Sequence, residues 1–229
     1  MSGIWILLLL ILTAALPAII VFFWFRSGKS PVTLPWFLVS FAAGIISLLA
    51  AALVQSFFPH TGTGGLGSVF FGVFVRIALV EEASRFVTLI PLLKAGSRRR
   101  PPERTFGAAL GLAAGLGFAA MENAFYGTAD IHITLLRAFT AAPLHGACGI
   151  RAGTAASIFR QHPVKAIFYF ISVILIHGAY NLLVVSPALP SLLAVPAAFA
   201  ALFASLPLIK TPGDDNGNPL PPQFPDAKF

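Results

Sequence analysis

The sequence predicts an all-α, polytopic transmembrane helical bundle of about seven spans. Three observations predict it. Apolar residues make up 57% of the 229 residues and charged residues only 10%, a balance found in membrane-embedded chains rather than soluble ones. The apolar residues gather in about seven runs, each long enough to cross roughly 30 Å of hydrocarbon as a helix. The net charge of +7 collects in short loops between those runs. Placed there it reads as topology rather than as a nucleic-acid surface, so no nucleic-acid partner is expected. The single cysteine, Cys148, excludes an internal disulfide and any multi-cysteine metal site.

In chain order the runs are 4–25, 34–58, 68–93, 105–127, 135–158, 164–185 and 189–209. Arg26 and Lys29 follow the first, and Lys94, Arg98, Arg99, Arg100 and Arg104 follow the third. Arg160 and Lys165 separate the fifth from the sixth, and Lys210 follows the seventh. The intervening loops, 60–67, 128–134 and 186–188, hold no Lys or Arg. The positive-inside rule then puts the N-terminus outside and the C-terminus in the cytoplasm. Met1-Ser2-Gly3 lack positive charge, so the first run is not expected to be a cleaved signal peptide. Residues 1–209 read as one bundle. Residues 210–229, rich in Pro, Asp, Asn and Gly, read as a disordered cytoplasmic tail.

The chemistry lies inside the runs. Glu81 and Glu82 are adjacent in the third, with Arg76 and Arg85 on the same helix. A carboxylate in hydrocarbon is costly, so these groups must pair or act. Glu81 and Arg85 stand at i,i+4 and share a face, while Glu82 points about 100° away. The structural reading is an ion pair of Glu81 with Arg85, and of Glu82 with Arg76 or with a group on another helix. The fourth run carries Glu122, Asn123 and Tyr126, the fifth His145 and Arg151, the sixth His177 with Asn181 at i,i+4. Counted along each helix, Glu122, His177, His145 and Glu81 lie roughly 8–20 Å below one membrane face. They are expected to converge on a polar cavity opening outward.

Carboxylates, imidazoles and an amide in one cavity can activate water and stabilise an oxyanion. His145, His177 and Glu82 could also hold zinc. No H-E-x-x-H helix is present, so metal is not demanded. Cys148, one turn from His145, reads as packing. So do Gly107, Gly111 and Gly115, a small-xxx-small seam. Arg137 and Arg151 read as structural. His60, His132 and His162 lie in or beside loops and read as incidental.

The order of motifs is more specific than any one of them. Glu-Glu-x-x-Arg at 81–85, Gly-Phe-x-x-x-Glu-Asn-x-x-Tyr at 117–126, His-Gly at 145–146 and His-x-x-x-Asn at 177–181 occupy four consecutive runs. This resembles the PrsW family of intramembrane proteases, in the larger group that includes CAAX prenyl endopeptidases. The resemblance covers about residues 71–185. It implies an intramembrane endopeptidase that cuts a membrane-anchored protein, such as an anti-sigma-factor-type regulator, in a bacterial cell membrane. Glu81 and Glu82 match the paired glutamates, at least one of which activates water. Glu122 with Asn123 matches the second motif and His145 the third. His177 and Asn181 match the fourth, near the oxyanion. Arg85 stands where many relatives have Lys. The prenyl proteases place three residues between their pair and Arg and carry His where Glu122 stands, which favours PrsW and leaves the role of Glu122 open. Metal-dependent and metal-free hydrolysis both stay open. The rival readings are a proton-coupled transporter, for which no inverted repeat is visible, and a non-catalytic scaffold.

Overall fold

The structure, a computed structural model, describes residues 15–24, 32–58, 65–96, 104–127, 131–185 and 190–209. Their regular structure is entirely helical. Helix α1 covers Ala15–Trp24 and α2 covers Leu34–Gln55. Helix α3, Leu66–Phe70, passes through a π-helical stretch, Phe71–Leu79, into α4, Val80–Gly96. Then come α5 (Arg104–Gly127), α6 (Ile131–Ile158) and α7 (Pro163–Val185). The chain closes with a 3₁₀ turn (Ser191–Leu193), α8 (Ala194–Ser205) and a second 3₁₀ turn (Leu206–Leu208). The tail, the first part of the first run, and Arg26, Lys29, Arg98, Arg99, Arg100 and Lys210 lie outside the described residues.

Four of these helical stretches are long and apolar enough to cross a membrane by themselves: Leu34–Gln55, Arg104–Tyr126, Pro163–Val185 and Ser191–Leu208. The 66–96 helix, α6 and the end of α5 carry the charged residues of the interior. The outward faces are apolar. Ile46, Leu53, Val87, Phe139, Phe168, Leu175 and Phe203 all stand exposed. Against water such a surface would be an aggregation or docking liability. Against lipid tails it is the expected exterior.

Helix α5 is the centre of the bundle. Its apolar stretch is 83% buried, against 22% for α7. Glycine makes this centrality feasible. A Cβ on Gly111 would sit 2.0 Å from the Gly149 carbonyl oxygen, and one on Gly115 would sit 2.1 Å from that of His145. Gly107 meets Gly153 and Ser157 in the same way. The seam expected on α5 therefore has a complementary stripe on α6, Gly149 and Gly153. On the opposite side, Gly117 abuts the Phe41 carbonyl and Gly44 abuts that of Ala114, which clamps α2 to α5. Backbones this close place short side chains such as those of Glu122 and His145 within reach across the interface. Leu89, Leu93, Phe106, Leu110, Leu112 and Ile150 fill the remaining space as one apolar cluster.

Candidate active site

Glu81 and Glu82 lie in the first turn after the π-helical stretch, and both are buried. π-Helical turns add a residue per turn, shift the faces that follow, and often occur at functional sites. Arg85, also fully buried, donates from Nη1 to Glu82 Oε2 at 2.5 Å. This corrects the Glu81–Arg85 and Glu82–Arg76 pairings, while Glu82 does also pair with another helix through His177. Arg85 meets Glu82 rather than Glu81, and Arg76 forms no ion pair among the described residues. The reason is tertiary. The Arg85 guanidinium lies 4.4 Å over the Phe118 ring and its Nη2 is 3.3 Å from His145 Nδ1. It is held on the α5–α6 side, and Glu82 is the carboxylate that shares that side. Glu81 instead accepts at Oε1 from Gln55 Nε2 at 3.1 Å, from the last residue of α2.

His177 of α7 meets both glutamates. Its Nδ1 is 2.7 Å from Glu82 Oε1, and its Nε2 is 3.6 Å from Glu81 Oε2. A carboxylate accepts, so Nδ1 carries the hydrogen and the lone pair of a neutral ring sits on Nε2. His177 Nε2 faces Glu81 Oε2, a buried oxygen that accepts no hydrogen bond among the described residues.

His145 of α6 is committed differently. Arginine only donates, so Nδ1 accepts from Arg85 and Nε2–H donates to Glu122 Oε2 at 2.8 Å. The same carboxylate oxygen is 2.7 Å from Arg137 Nη2. Arg137 also donates from Nε to Asn123 Oδ1 at 3.1 Å and lies 4.1 Å over the Tyr126 ring. The two imidazoles stand edge to face with centroids 5.1 Å apart. One polar network thus runs across α4, α5, α6 and α7, from His177 through Glu82, Arg85, His145 and Glu122 to Arg137.

Asn181 is half-buried, one turn beyond His177, and takes part in no hydrogen bond among the described residues. Arg151 is elsewhere in the bundle, donating to Ser205 Oγ at 2.9 Å and Ser172 Oγ at 3.3 Å, which suits a structural role. Gln55, inside the 34–58 run, was not singled out by the sequence. Arg137, read as structural, pairs with Glu122 and donates to Asn123, which fits that role. Cys148 stays buried, and its sulfur, a Glu82 oxygen and a His177 nitrogen lie within 4.8 Å of one another.

The donor set fits a zinc-type ion, but not equally at every edge. Both Glu82 oxygens and both His145 nitrogens already have partners, so of the three expected ligands only His177 offers an uncommitted donor. An ion among Glu82, Cys148 and His177 would have to compete with Arg85 or His177 for a Glu82 oxygen that is already engaged. On the other edge of the ring, His177 Nε2 and the unpartnered Glu81 Oε2 are 3.6 Å apart, a gap that ligand bonds of about 2.0–2.1 Å can bridge.

Comparison with known protein families matches residues 32–207 to the PrsW family intramembrane metalloprotease. The chain belongs to the PrsW family. It is an intramembrane peptidase, embedded in a bilayer and acting on a membrane protein. The match to the PrsW family begins just before α2, ends in the last 3₁₀ turn, and contains every residue of the polar network. No curated protein and no solved structure matches the chain.

Proposed function

We propose that this PrsW-family peptidase hydrolyses a peptide bond of a membrane-anchored protein with a water activated by Glu81 and oriented by His177. The observation that carries this reading is the buried, unpartnered Glu81 Oε2 facing His177 Nε2 at 3.6 Å. Glu81 Oε2 takes a proton from the water, whose oxygen bonds to the carbonyl carbon. The carbonyl π pair moves to oxygen, and the buried Arg85 Nε–H, which has no acceptor in the bundle, donates to that oxyanion. Asn181, one turn from His177, donates its amide to the peptide. The C–N bond then breaks as Glu81 returns its proton to the leaving nitrogen. Glu82 fixes the ring of His177 through Nδ1, the arrangement that sets which imidazole nitrogen is reactive. His145 and Glu122 hold Arg85 in place from the α5–α6 side. If a zinc-type ion were bound, His177 and Glu81 are the residues that would hold it, and it would supply Lewis-acid polarisation of the water.

The site runs from the middle of α6 and α7, at His145 and His177, towards the ends of α2 and α5, at Gln55 and Glu122. With the Lys and Arg asymmetry of the loops, that is the outer side of a bacterial inner membrane. Residues 1–209 form the membrane unit and 210–229 a cytoplasmic tail. A single-span regulator of the anti-sigma-factor type, cut near its outer boundary, is the substrate class the resemblance supports. An impermeant thiol reagent should label Gly64→Cys and not Arg99→Cys in intact cells. The reverse pattern overturns the orientation. Purified protein alone in liposomes should cleave a single-span reporter, and the Glu81→Gln/Glu82→Gln double variant should not. Full cleavage by that variant, or Glu-dependent proton flux with no cleavage by wild type, overturns the reading.

A further inference from the structure

Arg76 is the cation that the network leaves out. Arg85, Arg137 and Arg151 each bond to a carboxylate or to hydroxyls inside the bundle. Arg76 lies in the middle of the 66–96 helix, and its Nε is buried without an acceptor. No acidic side chain among the described residues pairs with it. A guanidinium in a span without a counter-charge is expensive, and intramembrane cations of this kind mark ligand paths. Its surroundings are also unusual. It occupies the π-helical stretch Phe71–Leu79, which ends two residues before Glu81. That stretch is docked beside the site: Phe74 packs so closely on Gly178, the neighbour of His177, that a Cβ there would sit 2.2 Å from the ring. Arg76 is five residues before Glu81, about 7 Å along the axis at about 1.5 Å per residue. An extended peptide covers that in about two residues at roughly 3.3 Å each.

We propose that Arg76 is a substrate-binding residue that receives an acidic side chain of the substrate about two residues to the outer side of the scissile bond. The inference rests on the reading of Glu81 as the hydrolytic centre. A carboxylate matches the planar donors of a guanidinium, and such charge-assisted pairs strengthen where water is excluded. A lipid phosphate is the alternative ligand of the same guanidinium, whose Nε is covered by protein, and the phosphatidylglycerol arm of the test distinguishes the two.

The test separates binding from turnover. Full-length protein carrying Glu81→Gln is placed in phosphatidylcholine nanodiscs. Its affinity is measured for fluorescent single-span peptides in which one Asp is moved through successive positions of the outer third, beside an Asn series. One register of Asp should bind at least tenfold tighter than its Asn counterpart. Arg76→Gln and Arg76→Met should erase that difference and leave the Asn peptides unchanged, while Arg76→Lys should keep part of it. Removing an unpaired charge should leave thermal stability equal or higher, which a merely structural arginine would not show. No Asp preference at any register, a preference that survives Arg76→Met, or equal weakening of all peptides overturns the proposal. So does an Arg76 dependence that appears only when phosphatidylglycerol is added, the signature of a headgroup phosphate. Cleavage of the same peptides by the chain with Glu81 restored is read separately. Its absence, with the Asp preference intact, would count against Glu81 as the hydrolytic centre and not against Arg76.

Discussion

Two imidazole–carboxylate pairs stand 5.1 Å apart in the middle of this bundle, built from the same residue types and committed in different ways. His145 spends both nitrogens on neighbours, Arg85 at 3.3 Å and Glu122 at 2.8 Å. His177 spends one on Glu82 at 2.7 Å and turns the other towards Glu81 Oε2, which is buried and has no donor. The first pair resembles a strut, held from the far side by Arg137. The second resembles a working site, with two acceptors converging on one point. Arg85 joins them, and its stack on Phe118 ties the joint to the central helix. Residue type alone does not make a catalytic histidine. What its second nitrogen faces decides it.

The largest effects should come from the open pair. Glu81→Gln keeps size and the bond from Gln55 but removes the base, and His177→Ala removes its partner. Each should lower kcat for reporter cleavage by about 10²–10⁴, with the protein still inserting and folding. Next comes the strut. Glu122→Gln or His145→Ala releases the support of Arg85 and should cost about 10–100-fold, with lower thermal stability as a companion readout. Equal losses in both pairs would erase the distinction drawn here. Gln55→Leu removes one hydrogen bond to a carboxylate and should cost roughly tenfold, because Glu81 loses its orientation but not its chemistry. Cys148→Ala should leave cleavage near the wild-type rate, since the sulfur takes part in no step of the proposed reaction. A large loss there would move the reactive edge to Nδ1 and the proposed ion with it.

Much of the architecture was legible because hydrocarbon imposes simple demands. A run long enough to span must be helical, and the α2, α5, α6 and α7 helices begin and end within a few residues of the apolar runs. The glycine seam on α5 was legible from its four-residue spacing. Its counterpart, Gly149 and Gly153, was not singled out, because either glycine alone looks ordinary until the facing helix is known. Depth along each helix indicated that Glu81, His145 and His177 share a slab of the membrane. The pairings were hidden. Helical spacing offered Glu81 for Arg85, but the Phe118 face and His145 hold Arg85 beside Glu82. No local pattern marked the π-helical stretch 71–79, so the faces on which Arg76 and the glutamates stand could not be read by counting. Asn181 shares the expected face with His177, yet it bonds to nothing among the described residues, because spacing fixes a face and not a partner.

The central claim is that the open pair hydrolyses while the closed pair supports. The most direct measurement is single-turnover cleavage of one single-span reporter in liposomes by Glu81→Gln and Glu122→Gln, each at saturating enzyme and matched for folded protein. The account predicts that Glu81→Gln loses at least tenfold more rate than Glu122→Gln. Equal rates, or a slower Glu122→Gln, would contradict it.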